Sequence, residues 1–261
     1  MDELRRFRLD GRVALVAGAS GGIGRRASVA LAGVGARVVL VGRSGEALAD
    51  TLRLIEPDGG QALSVTGDMT ADADADRAVA RAVERFGSVD ILVNAIGGGA
   101  GQVLHAAEEY PAEDWDWIFE LNLRTTVLLS QAVARAMIKA GAGGRILNVS
   151  SVRGQLGIDA GYSAYVAAKG ALDALTRQYA TEWAKYRITV NAISPTFVRT
   201  EQVASMLADR EFYDRLVSRI PLRRIADPDD LVGAILFFCS DASSFVTGQT
   251  LTLDGGLTAT Q

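Results

Sequence analysis

The chain has 261 residues, 49% of them hydrophobic, and carries 27 Lys and Arg against 31 Asp and Glu for a net charge of −4. It is long enough to bury one large core, and its dispersed arginines form no basic stripe that could neutralise a run of phosphates, so a small molecule and not nucleic acid is the expected partner. No apolar stretch reaches bilayer length, the start MDELRRFRLDGR is charged, and the lone Cys239 can form no internal disulfide, so a soluble cytoplasmic protein without a membrane partner is expected.

In chain order, short apolar runs rich in β-branched residues at 13–17, 37–41, 62–66, 91–94, 145–150, 188–194 and 250–254 predict about seven strands. These runs hardly alternate in polarity, so each is read as buried on both faces, the pattern of parallel strands with helices above and below. Stretches 70–86, 115–139, 163–186 and 229–240 place Ala, Leu, Val and aromatic residues at helical spacing. With no linker, repeat or low-complexity tract, residues 1–261 read as a single α/β domain, a doubly wound Rossmann fold. Ligands of such sheets gather beyond the carboxyl ends of the strands, where strand order reverses.

The first strand runs into Gly18, Ala19, Ser20, Gly21, Gly22, Ile23 and Gly24, then into an Ala-rich helix. Missing β-carbons permit a tight turn at Gly18 and close approach at Gly22 and Gly24, while the helix N-terminus offers unpaired N–H groups to a diphosphate. The second strand ends in Val41, Gly42, Arg43 and Ser44, without the acid that would hydrogen-bond the ribose of NAD. Arg43 suits the additional phosphate of NADP, so NADP(H) is favoured over NAD(H). Ser150 and Ser151 close the fifth strand, and Tyr165 and Lys169, one helical turn apart, share a face on which a lysine charge can assist a phenol in proton transfer. His105, the only histidine, falls in the loop after the fourth strand with no second His or paired Cys beside it, so no metal site is expected. Cys239 lies in an apolar helical pattern and reads as packed.

Together these motifs resemble the short-chain dehydrogenase/reductase family, whose TGxxxGIG loop is present here with Ala17 for the leading Thr. The resemblance continues through 90–97, where Ala95 replaces an expected Asn, and through Asn122, 191–200 and 247–256. It implies an enzyme that interconverts a secondary alcohol and a ketone by hydride transfer. Tyr165 would be general acid and base, its pKa lowered by Lys169 and the cationic nicotinamide. Ser151, in preference to Ser150, would donate to the substrate oxygen, Lys169 would also hold the nicotinamide ribose, and Asn122 would hold a water for proton relay.

The resemblance further implies cofactor contacts from Gly18, Ser20, Gly22, Ile23, Gly24, Arg43 and Ser44. Asp68, with Met69 beside it, would meet the adenine, although Asp68 or Thr70 is also able to cap the following helix. Asn94 would sit near the adenosine ribose, and Pro195, Val198 and Thr200 about the nicotinamide. Residues 196–221 are similar to the family's variable substrate lid. Arg153, Arg199 and Arg210 are the cations available to an acidic substrate, against the commoner reading of solvated surface arginines. The tail is similar to sugar-acid and polyol dehydrogenases of the gluconate 5-dehydrogenase kind, with 3-oxoacyl thioester reductases as the alternative. A homotetramer built on the helices at 115–139 and 163–186 is the implied assembly. A non-catalytic coenzyme-binding sensor or scaffold, the alternative of another class, is disfavoured by the joint presence of Ser151, Tyr165 and Lys169.

Overall fold

The computed structural model describes residues 3–259. Its strands are β1 (Val13–Ala17), β2 (Arg37–Gly42), β3 (Ala62–Thr66), β4 (Ile91–Asn94), β5 (Gly144–Val149), β6 (Ile188–Pro195) and β7 (Thr250–Leu253). All are parallel and form a single seven-stranded sheet in the order β3-β2-β1-β4-β5-β6-β7. Between them run α1 (Gly22–Gly33), α2 (Gly45–Ile55), α3 (Asp72–Phe86), α4 (Ala112–Phe119), α5 (Thr125–Ala140), α6 (Ser163–Trp183), α7 (Ala204–Ala208), α8 (Arg210–Ser218) and α9 (Val232–Cys239).

Strand β1 shows why the apolar runs fold this way. Val13, Leu15 and Ala17 face one core with Ala78, Leu129 and Tyr179 of α3, α5 and α6, while Ala14 and Val16 face the other with Leu31, Leu48 and Phe238 of α1, α2 and α9. Successive side chains of a strand point to opposite faces, so a strand covered on both sides must be apolar throughout. Because β1 pairs with both β2 and β4, strand order reverses there, and a crevice opens beyond the carboxyl ends of β1 and β4.

The predicted helix at 115–139 is in fact two. A π-helical turn, Glu120–Arg124, separates α4 from α5, and there the Thr125 N–H bonds to the Glu120 carbonyl, five residues back. The cause is Asn122, fully buried, whose Nδ2 donates to the Ile118 carbonyl at 3.0 Å and inserts a side chain into the helical ladder. Such bulges concentrate at functional sites. The predicted helix at 229–240 begins as the 3-10 turn Pro228–Leu231, locked by a capping box between Asp227 and Asp230. Among the described residues no helix is long and apolar enough to cross a membrane.

Candidate active site

The glycine loop lies at the reversal point. Gly18 has a φ of +81°, and a β-carbon there would stand 2.7 Å from the Ala95 carbonyl oxygen beyond β4. At Gly24 a β-carbon would strike the carbonyl of Gly18, and at Gly22, with φ +49°, it would lie 2.9 Å from Cγ2 of Thr200. A side chain is therefore excluded at Gly18 and Gly24 by surrounding backbone and at Gly22 by Thr200. Helix α1 starts on Gly21 with no side-chain cap, so its first N–H groups face the crevice without a partner from Gly21. Arg25 braces the loop from below by donating to the Ser20 carbonyl at 2.6 Å, and Ile23 packs against the core beneath. A glycine-rich loop feeding an uncapped helix fits a dinucleotide diphosphate.

Around the remaining rim the expected residues divide. Arg43 is exposed, with no acid paired to it among the described residues. Ser44 is the N-cap of α2, its Oγ accepting from the Ala47 N–H at 3.2 Å. Asp68 caps no helix, because the N-cap of α3 is Ala71; Asp68 Oδ1 instead accepts from the N–H and the hydroxyl of Thr70, at 3.0 and 2.9 Å. The Met69 side chain belongs to the core. Asn94 ends β4 at the rim of the crevice with its side chain turned into the fold. Its Nδ2 points inward, donating to Ser130 Oγ at 3.0 Å and Asn148 Oδ1 at 2.9 Å, because the last residue of β4 alternates toward α5.

At the end of β5 two adjacent serines take opposite directions. The Ser151 hydroxyl lies within electrostatic reach of the Tyr165 phenol, while Ser150, its Oγ buried without a hydrogen-bond partner among the described residues, lies on the side of the Asp173 carboxyl. Ser151 Oγ accepts from the Arg153 N–H at 3.1 Å, which leaves the hydroxyl proton to be donated outward. Lys169 is 3% exposed, with Nζ 5.7 Å from the centre of the Tyr165 ring and donating to the Val149 carbonyl at 3.0 Å. Burial pushes its ammonium down to about 8, against the pull of Asp173. Burial raises the Tyr165 phenol above its ordinary value. The groups opposing that rise are Ser151 and the guanidinium of Arg153.

Asn122 holds the neighbouring glycine loop. Its Oδ1 accepts from Gly98 N–H at 2.8 Å and its Nδ2 donates to the Gly98 carbonyl at 3.0 Å. An atom on Gly97 at the β-carbon position would stand 2.9 Å from Asn122 Oδ1 and 3.1 Å from Lys169 Nζ, so these two groups line one notch.

Residues 18–258 match the family model described as enoyl-(acyl carrier protein) reductase. The chain belongs to the short-chain dehydrogenase/reductase family. It is 41% identical over 253 residues to gluconate 5-dehydrogenase of Gluconobacter oxydans, covering 97% of this chain and 96% of that one. With L-xylulose reductase of Bos taurus it shares 41% over 254 residues, covering 97% and 99%. The structure of a gluconate 5-dehydrogenase from Burkholderia cenocepacia in complex with NADP and tartrate superposes with a TM-score of 0.90 at 37% identity, over 99% of each chain. Like these short-chain dehydrogenases and reductases, the protein is an oxidoreductase that works with a pyridine nucleotide.

In this member of the family, the segment after β6 bridges the two glycine loops. Pro195 ends the strand buried, and Val198, 5% exposed, pairs with Ala226 in an isolated parallel bridge. Thr200 packs on Gly22, and the Gln202 side chain covers Gly98. Gln202 carried no sequence signal, since its contact depends on a loop folding across the crevice. His105 pairs with Asp114 at 2.7 Å beside Tyr110. Among the described residues no three His, Cys, Asp or Glu gather into a metal site. Burial lifts the Cys239 thiol to about 12, consistent with a packed, unreactive side chain.

Proposed function

We propose that this protein interconverts the ketone and secondary alcohol of a sugar acid or related hydroxy acid with NADP(H), using Tyr165 as proton donor and acceptor. The observation that carries the reading is the pairing of Tyr165 with a buried Lys169, Nζ 5.7 Å from the ring centre, within reach of Ser151 at the end of β5. The names of the relatives, two of them gluconate 5-dehydrogenases, support the substrate class. Arg43, exposed and unpaired at the end of β2, supports the phosphorylated coenzyme.

When bound, the nicotinamide supplies or accepts the hydride. Gly18, Gly22 and Gly24 with the α1 N-terminus would hold the diphosphate, Arg43 the ribose phosphate, and Lys169 the nicotinamide ribose. The phenol of Tyr165, raised by burial, keeps its proton at neutrality and hands it to the carbonyl oxygen as negative charge develops there. Ser151, its Oγ already accepting from Arg153 N–H, turns its own proton toward the same oxygen and stabilises that charge. Reprotonation of Tyr165 proceeds through Lys169 and the notch it shares with Asn122 Oδ1. Residues 196–221, containing α7 and α8, form the substrate lid.

The test is a nicotinamide absorbance assay with both coenzymes over sugar keto acids, neutral ketoses, cyclic ketones and 3-oxoacyl thioesters, repeated with Tyr165→Phe. Turnover of keto acids with NADPH that collapses in Tyr165→Phe, while coenzyme still quenches protein fluorescence, is the expected result. Preference for 3-oxoacyl thioesters would replace the substrate assignment, and full activity in Tyr165→Phe would refute the mechanism.

A further inference from the structure

Arg153 is a buried cation without a counter-ion. It is 7% exposed, sits in the 3-10 turn Val152–Gly154 two residues after Ser151, and forms no ion pair with any described residue. Its Nη1 donates to the Gly157 carbonyl at 3.2 Å, the one acceptor the guanidinium finds among the described residues. The groups within its electrostatic reach are the phenols of Tyr162 and Tyr165 and the guanidinium of Arg219. Tyr162 and Tyr165 meet edge to face at 6.4 Å, so Arg153 shares their pocket. Arg219, exposed at the C-cap of α8, makes no ion pair with any described residue, and α8 packs through Leu216 in the cluster that holds Val152. The Arg153 guanidinium thus lies beside the reacting phenol with no carboxylate paired to it among the described residues, and the exposed Arg219 lies within reach of Arg153. Burying a charge in this way is costly unless an opposite charge arrives, and a guanidinium fork matches a carboxylate edge to edge.

We propose that Arg153 is the carboxylate-binding residue of the substrate site, with Arg219 as the outer cation of the same clamp. The proposal rests on the dehydrogenase reading of Ser151 and Tyr165, and it specifies that the substrate is an anion oriented by Arg153 so that its carbonyl reaches those hydroxyls. Arg199 and Arg210, the other arginines considered, are already paired with Asp227 and Asp214 at 3.3 and 2.9 Å.

The test compares a sugar keto acid with its methyl ester and with a neutral ketose. The unaltered enzyme should prefer the acid to its ester by about 30-fold or more in kcat/KM, a measurement needing no variant. In Arg153→Leu the ratio of kcat/KM for acid over neutral ketose should fall about 100-fold, mostly through KM, and Arg153→Lys should recover part of it. Coenzyme binding and circular dichroism establish that each variant is folded. Equal losses on acid and neutral substrate, the mark of a purely structural arginine, overturn the proposal, as does an ester turned over as well as the acid. Failure of the dehydrogenase reading is separable, since it would abolish turnover of acid, ester and ketose alike in the unaltered enzyme.

Discussion

The side-chain amide of Asn122 clasps the backbone of Gly98 on both sides, accepting from its N–H at 2.8 Å and donating to its carbonyl at 3.0 Å. The π-helical turn is thereby tied to the loop that follows β4, and the floor of the crevice is held by one residue. Asn122→Ala removes these bonds and the one to Ile118. At about 1 kcal/mol for each buried hydrogen bond, the unfolding free energy should fall by about 2–4 kcal/mol, read from the urea midpoint. Turnover should fall with it, since Gly97 and its notch lose their support. An unchanged midpoint would show that the clasp holds nothing.

The opposed serines give a sharper contrast. Ser151→Ala removes the hydroxyl that would donate to the substrate oxygen beside Tyr165 and should lower kcat/KM about 100- to 1000-fold with coenzyme binding retained. Ser150, which looks toward Asp173, should tolerate alanine with activity within about threefold of the parent. Steady-state kinetics on the two variants decide which hydroxyl serves the substrate, and comparable losses would mean that neither is specific.

Lys169 sets a pH dependence. Its ammonium, lowered from 10.5 to about 8, is charged at neutrality and loses its charge as pH rises through about 8, whereas the Tyr165 phenol, raised, stays protonated there. The rate of reduction should therefore be flat near neutrality and decline above about pH 8. Stability moves the other way. The folded state binds fewer protons than the unfolded one between about 8 and 10.5, so this group adds stability as pH rises across that window and costs about 3 kcal/mol below it. Lys169→Met should abolish turnover, melt no lower at pH 7, and lose that rise, as thermal denaturation at a series of pH values would register.

Arg43 is exposed with no acidic partner among the described residues, so its removal should touch coenzyme choice and little else. Arg43→Ala should lower kcat/KM with NADPH about 10- to 100-fold through KM, and with NADH by less than about threefold. Losing both coenzymes equally would leave the phosphate assignment without support.

Much of this was legible in sequence because it depends on neighbours along the chain. Continuous apolar runs dictated strands buried on both faces, and the spacing of Tyr165 and Lys169 placed them on one face of α6. The glycines announced a turn that only a residue without a β-carbon can make. The tertiary structure decided what depends on distance across the fold. A strand reverses side-chain direction at every residue, so only its exit from the sheet determined that Ser151 meets Tyr165, that Ser150 faces Asp173, and that Asn94 turns inward. Composition cannot show whether an arginine has a counter-ion, since partners come from remote segments. The burial of Arg153 and the rise of the Tyr165 phenol followed from which groups the folded chain brought near and which it excluded from water.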